Sequence, residues 1–177
     1  RTLGFDCEFL DPSPNPPAAS AGPVSTAAFD DEKAILKLAS RVDVLTYEFE
    51  NVPVDALRDI GGTVPIYPPL DALRLAQDRL DEKQLFGELD IPLPRYHPVD
   101  SVDDLHAACE TIGLPLVVKT RRLGYDGKGQ FVLKHRDQVK EAWQAIGGVP
   151  LIAEQRIPFH REVSIIAVRS RSGSMGF

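Results

Sequence analysis

Apolar positions along this chain change period several times. Leu116-Val117-Val118 and Phe131-Val132-Leu133 are short continuous apolar runs, which predict two buried or half-buried strands. Gly124, Gly127 and Gly129 punctuate the residues between them, so the pair reads as a hairpin whose loop backbone is left uncovered for a ligand. Lys119 ends the first strand facing that loop, and Gln130 opens the second.

Before the hairpin, Gly4 to Leu10 predicts the end of a helix running into a strand, and the proline-dense stretch from Asp11 to Pro17 predicts a loop. Asp30 or Asp31 caps a helix through Leu38 with Ile35, Leu36 and Leu38 on its apolar face. Val42 to Tyr47 reads as a buried strand and Val64 to Tyr67 as a brief one. Between them a short helix runs from Asn51-Val-Pro53 through Leu57, closed by Gly61-Gly62. This alternation predicts βαβ units and a parallel sheet, with Glu48 and Glu50 beyond a strand's carboxyl end, where ligands bind in such sheets. Leu70 to Leu89 is helical in two pieces broken near Asp78, and Pro92-Leu-Pro94 marks a boundary.

Ser101 with Asp104 predicts a capped helix ending at Gly113. After the hairpin, Asp137 to Ile146 forms a helix with Val139, Ala142, Trp143 and Ile146 on one face, Trp143 being core. Pro150 to Ile157 is a strand leaving into a connector, Glu162 to Arg169 a further strand, and Ser172-Gly173 a turn. The fold class is α/β, divided as a first domain over 1–75, a helical connection over 76–97 and a second domain over 98–177.

Composition narrows the chemistry. The 177 residues are 43% apolar and 26% charged, ordinary for a soluble globular protein of one domain or two small ones. Net charge is −6, yet Lys119 to Arg136 holds six Lys/Arg against one Asp. A local cation cluster on an acidic chain points to a small anion and away from nucleic acid. Cys7 and Cys109 stand alone, without metal-ligand spacing, which fits a reducing cytoplasm and predicts no zinc site. No apolar run approaches the roughly 20 residues of a membrane span. The glycine loop lacks the Gly-Lys-Ser/Thr of a Walker A motif, and a strand follows it where a dinucleotide fingerprint needs a helix. What remains is a hairpin loop folding over phosphates, with backbone N–H groups and a lysine as the cradle.

Six segments, in order, resemble the N5-carboxyaminoimidazole ribonucleotide synthetases, ATP-grasp carboxylases of purine biosynthesis. They are Asp11 to Pro17, Thr46 to Pro53, Asp78 to Phe86, Val118 to Gln130, Ala153 to Ile157 and Arg161 to Ser164. The resemblance implies a partial Rossmann-like pre-ATP-grasp domain followed by the first part of an ATP-grasp domain. It implies ATP and Mg2+ as cofactors and a homodimer as the assembly. The reaction would carboxylate 5-aminoimidazole ribonucleotide with bicarbonate through carboxyphosphate. Lys119 and Arg79 would contact the phosphates, and Gly124, Tyr125, Asp126, Gly127, Lys128, Gly129 and Gln130 would close over them. Glu154, Gln155, Arg156 and Ile157 would read adenine, and Glu162 would hold the ribose hydroxyls. Tyr125, Asp126 and Lys128 would face bicarbonate and the aminoimidazole, Asp126 and Lys128 in catalytic roles, with Glu48 also on the substrate. The family's metal ligands and substrate-phosphate residues lie in a second half of the ATP-grasp domain, so no residue here is assigned to metal. Both ends read as cut, which predicts unpaired strand edges and apolar surface. Two other readings stay open: another ATP-grasp ligase (a formate-using glycinamide ribonucleotide transformylase or a biotin-dependent carboxylase), and a non-catalytic nucleotide-binding module.

Overall fold

The computed structural model describes residues 4–60, 62–124 and 127–177. Strands β1 (Phe9–Asp11) and β2 (Val24–Thr26) pair in parallel, Phe9 against Val24. Asp31 opens α1 (Glu32–Ala39), its carboxylate accepting the Ala34 N–H at 3.0 Å. Helices α2 (Val54–Arg58) and α3 (Leu70–Ala76) each begin directly after a proline, whose fixed φ suits the entry to a helix. Ile35, Ala39, Leu45, Leu57, Ile60 and Leu73 close the first core between these pieces.

Three expectations fail in this half. Gly4 to Glu8 contains no helix. Leu36 is 45% exposed, so Ile35 and Ala39, with the partly buried Leu38, carry the packed face of α1. The two expected strands shrink to one parallel bridge, Leu45 with Ile66. Leu45 N–H donates to the Pro65 carbonyl and Tyr67 N–H to the Leu45 carbonyl, but Pro65 and Pro68 have no N–H with which to extend the ladder.

The second half is a four-stranded antiparallel sheet in the order β3-β6-β4-β5, formed by β3 (Tyr96–Val99), β4 (Leu116–Thr120), β5 (Gln130–Leu133) and β6 (Leu151–Gln155). Leu116, Val118, Leu133, Leu151 and Ala153 line one face. There they meet α5 (Val102–Thr111) and α6 (Val139–Ile146) through Leu105, Ala108, Cys109, Val139 and Ala142. Trp143 packs against this core as expected, and the Ser101 hydroxyl caps α5 by accepting the Asp104 N–H at 3.1 Å. Truncating one of these fully buried leucines costs roughly 3 kcal/mol. Strand β3 has no sequence signal because Pro98 interrupts it; an edge position tolerates that residue.

Between the halves, α4 (Arg79–Glu88) follows α3 after the break at Gln77-Asp78. The strand expected from Glu162 to Arg169 is reduced to β7 (Val168–Arg169), paired antiparallel with β8 (Met175–Gly176) around the expected turn. Val163, Ile165, Ile166 and Val168 are all exposed.

Candidate active site

The sheet face away from α5 and α6 carries the first cluster. Lys119 pairs with Ile152 and Val117 with Glu154, so Lys119 and Glu154 are diagonal neighbours on one face. Lys119 Nζ donates to Glu154 Oε2 at 3.0 Å. Lys83 Nζ, one turn after Arg79 on α4, lies 3.5 Å from the same oxygen and 5.8 Å from the Tyr96 ring centre. Glu154 is 7% exposed. Two ammonium groups on one buried carboxylate leave the face with a net positive charge.

A second cluster fixes the start of α4. Asp78 caps the helix through the Leu80 N–H at 2.9 Å. Its carboxylate also receives Arg121 in a bidentate grip, Nε to Oδ1 at 2.9 Å and Nη2 to Oδ2 at 2.7 Å. Burial acts to raise the Asp78 carboxyl, but the Arg121 and Leu80 hydrogen bonds outweigh it and hold the group below the usual carboxylate range. The same pairing raises Arg121. Arg79 N–H donates to the Arg121 carbonyl at 3.0 Å, and Arg79 Nη2 to the Gly124 carbonyl at 3.3 Å. Gln77 Nε2 donates to the Glu50 and Val52 carbonyls, each at 2.7 Å, while Oε1 accepts from Arg122 at 2.6 Å. Gln77, Asp78 and Glu154 are the buried polar side chains among the described residues, and each has its partners within these clusters.

A cleft of about 630 Å³ opens beside them, lined by Glu48, Glu50, Asn51, Gln77, Arg79, Arg121, Leu123 and Gly124 among others. At the hairpin root Thr120 N–H donates to the Gly129 carbonyl at 2.8 Å. Gly129 has φ +68°, and a Cβ there would fall 2.6 Å from Thr120 Oγ1. Only glycine lets the two ends of the loop approach this closely.

The structure thus joins Lys119 to Glu154 and Arg79 to Gly124, and it places Glu48 on the wall of the Arg79 cleft. Gly127, Lys128 and Gly129 belong to the same hairpin loop, and Gln130 starts β5. Tyr125 and Asp126 lie outside the described residues. Gln155 ends β6 with its N–H on the Arg95 carbonyl at 2.8 Å, and Arg156 and Ile157 follow as an exposed connector. Glu162 is exposed in an irregular segment and is not joined to the Lys119–Glu154 pair. Among the described residues no three His, Cys, Asp or Glu side chains come together to hold a metal ion. The sequence reading missed Gln77, Asp78, Lys83 and Arg121. The helix break near Asp78 and the four-residue spacing from Arg79 to Lys83 were the local signals for two of them; nothing marked Gln77.

Comparison with known proteins covers the whole chain. Residues 84–177 match the ATP-grasp domain and residues 1–77 the ribonucleotide synthetase preATP-grasp domain. An N5-carboxyaminoimidazole ribonucleotide synthase of Pseudomonas aeruginosa is 46% identical over 99% of this chain and 49% of its own length. The crystal structure of the synthetase from Thermus thermophilus superposes with a TM-score of 0.90 at 45% identity, over 99% of this chain and 47% of that one. The Staphylococcus aureus enzyme complexed with ADP gives 0.94 at 32% identity, over 98% and 47%. The chain spans about half the length of the curated relatives it matches. It belongs to the ATP-grasp family, and its likeness to the N5-carboxyaminoimidazole ribonucleotide synthetases runs through both of its domains.

Proposed function

We propose that the protein carrying this chain converts 5-aminoimidazole ribonucleotide, bicarbonate and ATP to N5-carboxyaminoimidazole ribonucleotide, ADP and phosphate. The Lys119–Glu154 pair, set on the open sheet face beside the glycine hairpin, is the observation that carries the reading. Bicarbonate oxygen attacks the γ-phosphorus and ADP leaves; the resulting carboxyphosphate gives its carboxyl to the exocyclic amine and releases phosphate. Such transfer needs positioning and fixed positive charge more than covalent help.

Lys119 exchanges Glu154 for phosphate oxygens, and Arg79 exchanges the Gly124 carbonyl for the same charge. The loop from Gly124 to Gln130 closes over the triphosphate. Glu154 accepts from the adenine amine, the backbone of Gln155, Arg156 and Ile157 reads the ring edge, and Glu162 takes the ribose hydroxyls. Tyr125 and Lys128 approach bicarbonate and the aminoimidazole, Asp126 orients or deprotonates the amine, and Glu48 faces the substrate across the cleft. Mg2+ neutralises charge on the phosphates in ATP-grasp enzymes; no described residue of this chain is assigned to it. A homodimer in the cytoplasm completes the reading, in keeping with the free thiols of Cys7 and Cys109. No helix among the described residues is long and apolar enough to cross a membrane.

The test is ADP release by the protein at its full natural length, with bicarbonate, with and without aminoimidazole ribonucleotide. Release that requires both and yields the carboxylated nucleotide is the expected result. Release supported instead by formate and glycinamide ribonucleotide, or by biotin, favours another ATP-grasp ligase; ATP binding with no turnover favours a non-catalytic module. Asp126→Asn is expected to depress carboxylation far more than ATP binding, and equal loss of both removes that residue's assigned role.

A further inference from the structure

We infer that Lys83 is a positioning residue that keeps Glu154 paired and aimed while Lys119 turns to the nucleotide phosphates, and that it thereby sets the preference for a 6-aminopurine. The inference rests on the nucleotide reading above and assigns a role to a residue that reading leaves idle.

Both ammonium groups sit on Oε2 of Glu154, at 3.0 Å for Lys119 and 3.5 Å for Lys83. Among the described residues no side chain donates a hydrogen bond to Oε1, so that oxygen is the acceptor left for an incoming amine. The two lysines differ in freedom. Lys119 keeps 26% of its side-chain surface exposed, whereas Lys83 keeps 12% and stands near the Tyr96 ring. Lys83 also rises from a helix whose first turn is locked by the Asp78–Arg121 pair. Lys119 is therefore the partner able to leave and Lys83 the one that stays.

Departure of Lys119 would strand a buried carboxylate without a countercharge, a costly state. With Lys83 in place the carboxylate remains compensated, Oε2 stays occupied, and Oε1 accepts a hydrogen from the 6-amino group. A 6-oxopurine would bring a carbonyl oxygen against the same carboxylate and be rejected, because two acceptors cannot share a hydrogen bond.

The experiment measures Kd and KM for ATP and for inosine triphosphate in the full-length enzyme, with Lys83→Met, Lys83→Arg and Glu154→Gln variants. Lys83→Met is expected to weaken ATP about tenfold, with a smaller loss in kcat, because a buried carboxylate loses its standing countercharge. The ratio of ATP to inosine triphosphate preference should shrink by a similar factor. Lys83→Arg should hold ATP affinity within about threefold, since a guanidinium supplies the same charge. In the Glu154→Gln background Lys83→Met should add less than about twofold, the mark of a residue acting through its neighbour. Lys83→Gln replaces Lys83→Met should the latter fail to fold. A Lys83→Met enzyme that binds ATP as tightly and selectively as the parent overturns this inference alone, as do simply additive losses. Failure of the unsubstituted enzyme to bind ATP overturns the nucleotide reading and this inference with it.

Discussion

Asp78 and Arg121 lie 43 residues apart and meet through two parallel contacts of 2.7 and 2.9 Å, joining the first turn of α4 to the end of β4. The same carboxylate caps the helix, so one side chain serves two ends. Asp78→Ala is expected to cost roughly 3–5 kcal/mol, because it strands a largely buried guanidinium and removes the cap. Asp78→Asn keeps the cap and part of the grip and should cost about 1–2 kcal/mol. Urea unfolding of both variants measures the difference.

Acid should erode that contribution. Arg121 and the Leu80 N–H hold the folded Asp78 carboxyl below its ordinary value of about 3.8, so the unfolded chain takes up the proton first as pH falls. The stabilisation is complete above that ordinary value and is lost as pH drops through the lower folded one. The stability gap between parent and Asp78→Asn should be flat from neutral pH to about 5 and close below about 3.8. Asp104, held low by the Ser101 hydroxyl, is present in both proteins and cancels from the comparison.

Gly129→Ala would place a methyl 2.6 Å from Thr120 Oγ1 at a φ of +68°. The expected cost is about 2 kcal/mol, part steric and part backbone strain, with a raised KM for ATP as the loop is pushed off its root. Thr120→Ala in the same chain should recover the steric share and leave about 1 kcal/mol of strain. Thermal unfolding and nucleotide titration read the two parts separately.

Lys119→Met separates function from folding. Glu154 keeps Lys83 as its ion partner, so the thermal midpoint should move by only a few degrees. Without the cation offered to the phosphates, kcat/KM for ATP should fall by about a hundredfold. A midpoint that collapses with activity would show that Lys119 is structural.

Local signals carried the sequence reading a long way. Asp31, the Ser101–Asp104 pair and the break before Arg79 were visible because a cap needs only residues within one turn. Lys119 and Glu154 were each visible as polar positions on apolar strands, but the register that makes them diagonal neighbours belongs to the β4–β6 pairing. Gln77, Lys83 and Arg121 act across 25 to 71 residues of sequence, and no local pattern encodes such partners. The strand errors share a cause: Val42 to Tyr47 and Glu162 to Arg169 have strand-like composition, yet a strand exists only where a neighbour supplies the ladder.

Gln77 has one oxygen and two amide hydrogens, and all three are engaged, the hydrogens on residues 50 and 52 and the oxygen on Arg122. That leaves the joint no slack. Arg122, just beyond the end of β4, is tied through this amide to the backbone of residues 50 and 52 on the cleft wall, so neither segment can be displaced without breaking a buried hydrogen bond or carrying the other along. One neutral side chain thus works as a tie-rod between the Glu50–Val52 backbone and the hairpin root, and Gln77→Ala would uncouple the two.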